Sequence, residues 1–334
     1  FRFHDSYTES VDAFRKQESD AIGPLSANDN NTQNNTFSSV YTFHLPEFTG
    51  IFFNQIAHSA LSDNTVRNAL YRAIDRQRLV ENVLHGSAQI AVSPLPHGTR
   101  ISNNEDDTYN PNDAATTLNT RGFARVELED YITAISKEKL KKFVDDYKKE
   151  HSASPPEEET QPQETKLRAE VRAQIDPTQP FVRKKSGNYL KIDITTPDTK
   201  DTVAVAEFIA ESWRAIGVLV HITKVQSEEL QSLIATHHFE ALLTGVVQSA
   251  GDDPYPLWYN ASSDSSPALA RFQDASFDAL LTTIHETDNE DIRAQKLEAF
   301  ETYIMQKKPA IILFNPTFDY AVSKKIKGVE GGEI

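Results

Sequence analysis

Apolar side chains recur at helical spacing between Ser62 and Gly86. Val66, Ala69, Leu70, Ala73, Ile74, Val80, Val83 and Leu84 alternate with Arg67, Arg72, Arg76, Arg78 and Glu81. The pattern predicts one amphipathic helix lying on a core. Asp63 is placed to cap its first turn, and Gly86 suits the left-handed position past its end. An extended, proline-bearing exit, SPLP, follows.

Elsewhere the periods alternate between strand and helix. Residues 1–25 predict a short strand, a helix with Val11 and Phe14 inward, and a second short strand. The asparagine-rich tract 26–39 has the composition of an exposed loop, and VYTFHLPEFTGIFF (40–53) predicts two strands joined by a bend. YNPNDAATTLNTRGF (109–123) predicts a helix with Pro111 near its start and Gly122 at its end. Residues 124–188 change character: KEKLKKFVDDYKKEH runs into SASPPEEETQPQET, which predicts solvated helical faces and a mobile linker or surface insertion. From Tyr189 to Ser249 the order strand, helix, strand, helix, strand predicts an α/β lobe. Two helices (277–284 and 292–306), the buried strand AIILFNP, and a final strand in FDYAVSKKIKGVEGGEI complete the reading.

Composition narrows the function classes. A chain of 334 residues favours two lobes over one core. A formal charge of -15 argues against nucleic acid or anionic lipid as a partner, since both demand positive charge. The absence of cysteine excludes disulfides and thiolate chemistry within these residues. No apolar run reaches membrane-spanning length. The opening FRFHDSYTES has neither an initiator Met nor a signal-peptide pattern, so the expectation is a piece of a longer protein.

Catalytic templates do not occur: there is no P-loop, no GxGxxG after a strand, no HExxH and no GxSxG. His237 and His238 are adjacent, so their rings diverge; a helix-end role on local carbonyls is expected rather than a metal site. Chemistry converges only in GVVQSAGDDPYPLWYN (245–260), which leaves the end of a predicted buried strand, where α/β lobes present ligands. Asp252 and Asp253 read first as turn or cap formers, next as ligand contacts, and last as a catalytic pair. Trp258 and Tyr259 either line a pocket or pack the loop onto the lobe.

Seven stretches in series resemble the family 5 extracytoplasmic solute-binding proteins of peptide ABC importers. They are SDAIGPL, Asn54–Pro96, YNPNDAATTLNTRGF, TVAVAEFIAESWRAIGVLVHI, FEALLTGVVQSAGDDPYPLWY, FDALL, and PAIILF before a closing Lys-Gly-Val. The resemblance implies a two-lobed, type II periplasmic-binding-protein-like α/β fold with mixed sheets flanked by helices. It implies residues 1–48 as the remainder of a first lobe and a crossing strand. Residues 49–307 become a second, ligand-binding lobe with a charged insertion at about 124–188, and 308–334 a return strand. Full members are longer, so the chain resembles their C-terminal part.

By position, Val246, Val247, Gln248 and Ser249 resemble the edge that pairs with a peptide backbone. Ala250 falls where peptide-binding members place an amine-anchoring aspartate, so either Asp252 or Asp253 substitutes, or the solute lacks an anchored amine. Tyr255 and Trp258 complete the implied ligand set. Gly23, Pro24, Leu25, Phe48 and Gly50 are the implied hinge. The resulting expectation is a non-enzymatic component of an ABC importer, periplasmic or extracellular, membrane-anchored through a missing N-terminal segment. It needs no cofactor or metal. Its partners are a peptide or similar solute, a membrane permease and the missing N-terminal part, not nucleic acid. The rivals are a structural or regulatory module of the same fold and, less favoured, a hydrolase.

Overall fold

The computed structural model describes residues 3–25, 36–91, 93–95, 108–247, 253–260, 268–330 and 332–333. In chain order the first elements are α1 (Tyr7–Arg15), β1 (Ala21–Ile22), β2 (Ser38–His44), β3 (Glu47–Phe53), α2 (Asn64–Arg72), α3 (Arg76–Arg78) and β4 (Ala88–Ile90). Next come α4 (Pro111–Thr120), β5 (Ala124–Glu127), α5 (Leu128–His151), α6 (Glu157–Ala173), β6 (Phe181–Lys185), β7 (Asn188–Tyr189) and β8 (Lys191–Pro197). The rest are α7 (Lys200–Ala215), β9 (Leu219–Val225), α8 (Ser227–Thr236), β10 (Ala241–Val247), α9 (Tyr255–Trp258), α10 (Ala275–Glu286), α11 (Glu290–Lys307), β11 (Ala310–Ser323) and β12 (Gly332–Glu333).

A mixed sheet in the order β12-β2-β11-β3-β10-β8-β9 organises the molecule. Period-two alternation sorts its side chains. Ile51, Phe53, Leu243, Ile311 and Leu313 face one core with α2, α4 and α7. Phe48, Phe52, Leu242, Ala310 and Ile312 face the other, with α10 and α11. A small third cluster joins Val11, Phe14, Ile22, Leu25 and Ala321. β11 crosses between the two parts: Ala310–Phe314 pairs with β3, and Thr317–Ser323 pairs with β2.

Four expectations change. The helix foreseen over 62–86 breaks after Arg72 and restarts at α3, because the Asp75 carboxylate caps the Arg78 amide at 3.0 Å; a π-helical turn, Leu79–Val83, then closes it. Asp63 and Gly86 do hold their predicted positions, one capping Thr65, the other at φ +79°. No strand forms over residues 3–6, where Ser6 instead caps α1. The tail and AIILFNP are one strand, β11, with a bulge between Ile312 and Phe314. The charged region 124–188 is ordered: α5 and α6 form a hairpin above a three-stranded sheet of β5, β6 and β7. Ile132, Leu167 and Val171 supply its buried seam, and Glu129 pairs with both Arg168 and Arg172. Residues 152–156 join the two helices, and 174–180 lead from the second helix into β6.

Two buried guanidiniums tie the elements together. Arg67, expected on the polar face of its helix, is 2% exposed. It donates to the carbonyls of Leu61 (2.8 Å), Lys307 (2.6 Å) and Lys308 (2.9 Å), thereby capping the C-terminus of α11 from α2. Burial pushes its guanidinium down to about 10, against the opposing charge of Asp63. Arg183 of β6 does the same for α4 and α7, donating to Ala115, Phe123 and Ile216 carbonyls and to the Asn119 side chain.

Arg67→Met should therefore lose about 3 kcal/mol or more of unfolding free energy in urea, because the carbonyls it served stay buried without donors. Asp63 gives a pH test. Burial pushes its carboxyl up, but hydrogen bonds from Arg121 and Thr65 outweigh this and hold it below the ordinary carboxylate value. A depressed carboxyl stabilises above its unfolded pKa and loses that contribution as pH falls through the folded one. Asp63→Asn should be less stable than the unaltered chain at neutral pH, with the gap closing towards about pH 2.

Candidate functional site

β10 runs from the core into the open. Its first residues are buried, Gly245 is exposed, and Val247 is 75% exposed. Along one edge β3 pairs with all of it, from Ala241↔Phe53 to Val247↔Glu47. Along the other, β8 pairs only with Ala241 and Leu242. Among the described residues, no strand meets that second edge from Leu243 to Val247. Where this edge leaves the core, at Gly245–Val247, it has no strand partner among the described residues.

Of the residues named from the sequence, Val246 and Val247 lie on this edge strand. Gln248, Ser249, Ala250 and Asp252 lie outside the described residues. Asp253 forms a turn: one carboxylate oxygen accepts from the Tyr255 amide (3.0 Å) and the other meets Nδ1 of His285 (2.7 Å). Tyr255 stacks between Tyr259 (centroids 4.3 Å apart) and His285 (4.5 Å). Val246 packs in the same apolar cluster as Tyr255, Leu257 and Tyr259, so the strand end and the aromatic loop form one unit.

Sequence reasoning missed Glu47. Its carboxylate lies over Gly245, where an added Cβ would approach Oε1 to 2.6 Å, and it has no hydrogen bond or ion pair among the described residues. Glycine inside a strand signals such close approach. Asn315 fixes the Glu47 backbone by donating from Nδ2 to its carbonyl at 2.9 Å.

The residues named as hinge lie on or against the strands that cross between the two parts of the sheet. Phe48 and Gly50 lie inside β3, with Gly50 paired to Thr244 on one side and Ile312 on the other. The strands exchange partners at Leu45–Pro46 and Asn315–Pro316 instead. Leu25 donates its amide to Asp319 at 2.9 Å, and Gly23 abuts Tyr320, so Gly23, Pro24 and Leu25 belong to the far part of β11.

The family model for bacterial extracellular solute-binding proteins, family 5 Middle, matches residues 1–268. The chain belongs to that family. No curated protein sequence matches it. Many solved structures share its fold, and three illustrate it. The oligopeptide-binding protein AppA of Bacillus subtilis, in complex with a nonapeptide, is 16% identical with TM-score 0.66, over 97% of this chain and 55% of that one. NikA of Brucella suis with Fe(III)-EDTA is 18% identical with TM-score 0.68, over 98% and 57%. DppA of Helicobacter pylori with the peptide STSA is 16% identical with TM-score 0.64, over 99% and 54%. The fold is that of the type II periplasmic binding proteins, and the chain spans just over half the length of these relatives.

Within this family 5 chain, Trp258 packs into the second core. It is 2% exposed and its ring packs against Phe52 (5.8 Å) and Phe300 (6.0 Å). His237 takes the helix-end role expected of it, its Nδ1 lying 2.8 Å from the Ile234 carbonyl at φ +53°. No group of three or more metal-ligating side chains occurs among the described residues.

Trp258→Ala should cost about 3–5 kcal/mol of stability, the range for removing a buried aromatic. Urea denaturation checks this. Lost ligand affinity at unchanged stability would return Trp258 to the pocket.

Proposed function

We propose that this chain supplies one wall of a closable clamp that captures a peptide or similar solute and delivers it to a membrane ABC permease. The observation that carries this reading is the open edge of β10. Gly245–Val247, where the strand leaves the core, offers backbone donors and acceptors to an extended ligand, and such pairing gives affinity that tolerates many side-chain sequences. Family membership supports a solute-binding role rather than an enzymatic one. The relatives' ligands, a nonapeptide and the peptide STSA, are of the class such an edge suits.

Closure requires a second wall, supplied in this reading by polypeptide corresponding to the part of the relatives that the chain does not cover. The clamp bends at Leu45–Pro46 and Asn315–Pro316, where prolines remove ladder donors from both crossing strands. In this reading the lobe boundaries fall at that partner exchange, close to residue 48 on the way out but nearer 315 than 308 on the return. Glu47, free and beside the edge, meets the ligand's ammonium group. A periplasmic or extracellular location, with a membrane anchor outside these residues, completes the proposal.

Titration calorimetry tests it with short peptides against the chain joined to that missing wall. Methylating one ligand backbone nitrogen should weaken binding by roughly five- to tenfold, the worth of a lost hydrogen bond. Glu47→Gln should weaken peptides with a free amino terminus and leave their N-acetylated forms unchanged. Equal affinity for methylated and unmethylated peptides would overturn the β10 assignment.

A further inference from the structure

The main sheet ends at β9, and the α5–α6 hairpin leans over that final strand without closing on it. A cavity of about 540 Å³ lies between them, within the size range of small-molecule sites. Its walls are apolar where the hairpin and the strand face each other: Ile135 of α5, Val171 of α6, and Leu219 and Val220 of β9. This space lies two strands away from the open edge of β10 and shares no residue with it.

Cationic donors line the polar side. Arg214 of α7 pairs through Nη1 with Asp176 at 2.9 Å and donates through Nη2 to the Val220 carbonyl at 3.3 Å. Its Nε is buried with no partner. Lys191 lines the same space and has no acidic partner among the described residues. His221 is engaged at Nδ1 by Asp193 (2.7 Å). Asp176, the one carboxylate in the lining, is already committed to Arg214 and to Thr178. The cavity therefore has donors to spare and few acceptors to match them, beside a surface that would shed water readily.

We propose that this cavity is a second binding site, for a small carboxylate with an apolar body. The carboxylate would accept from Lys191, with the Arg214 guanidinium adding positive charge beside it, and the apolar body would lie against Ile135 and Leu219. Occupancy fills the gap between the hairpin and the sheet edge.

Calorimetric titration of the chain with 4-phenylbutyrate, and with its neutral amide, tests this. Saturable binding of the acid is expected, with the amide at least about tenfold weaker, as loss of a charge-assisted hydrogen bond implies. Lys191→Gln should weaken the acid by about tenfold, and Ile135→Trp, which fills the cavity, should abolish binding. Lys191 is exposed, so its variant decides the matter even if Ile135→Trp fails to fold. No saturable binding of the acid, equal binding of the amide, or full binding by Lys191→Gln would overturn the proposal.

Discussion

The pairing of β10 is lopsided, and the rest of the lobe is arranged around that imbalance. β3 holds the strand along its full length, so its register and position are fixed. β8 holds only Ala241 and Leu242 before the strands part. A buried row of unpaired peptide groups would be untenable, but this row emerges from the core as burial falls away towards Val247. Proteins ordinarily blunt exposed edges of this kind because they invite pairing with other chains. In the proposed reading that invitation is the function: a ladder awaiting one more strand is what an extended solute can complete.

Holding that edge in place is a matter of anchoring helices, not only of packing strands. Arg67 and Arg183 are each buried, and each spends its guanidinium on backbone carbonyls at helix ends rather than on a carboxylate. Arg67 links α2 to the end of α11, just before the chain enters β11. Arg183 links the small sheet to α4 and α7. The Trp213 indole adds a third tie, donating to the Leu70 carbonyl at 3.0 Å. These contacts fix the helices flanking both cores, leaving Leu45–Pro46 and Asn315–Pro316 as the places where the crossing strands change partners.

The regular elements after Tyr189 were legible because their periods are clean: alternation in β8, a helical stripe in α7, an apolar run in β10. Caps at Asp63 and Gly86 were equally plain, since each has a local chemical cause. Arg67 was misread as surface because helical spacing places it among polar neighbours, and its carbonyl partners come from residues 307–308, far along the chain. The α5–α6 hairpin was obscured by charge: its seam needs only a few apolar residues, Ile132, Leu167 and Val171 among them. Trp258 was ambiguous for the opposite reason, since an aromatic beside a loop suits either a pocket or a core. Glu47 left only a faint trace, the glycine at 245 that makes room for it.

The central claim is that the emerging end of β10, Gly245–Val247, completes its ladder with the ligand backbone. Amide hydrogen exchange followed by NMR, with and without saturating peptide, tests it most directly. Slowed exchange confined to this edge and its flanking loop is the result expected from a ligand added as a strand. Unchanged exchange at Gly245–Val247, with protection appearing elsewhere, would contradict it.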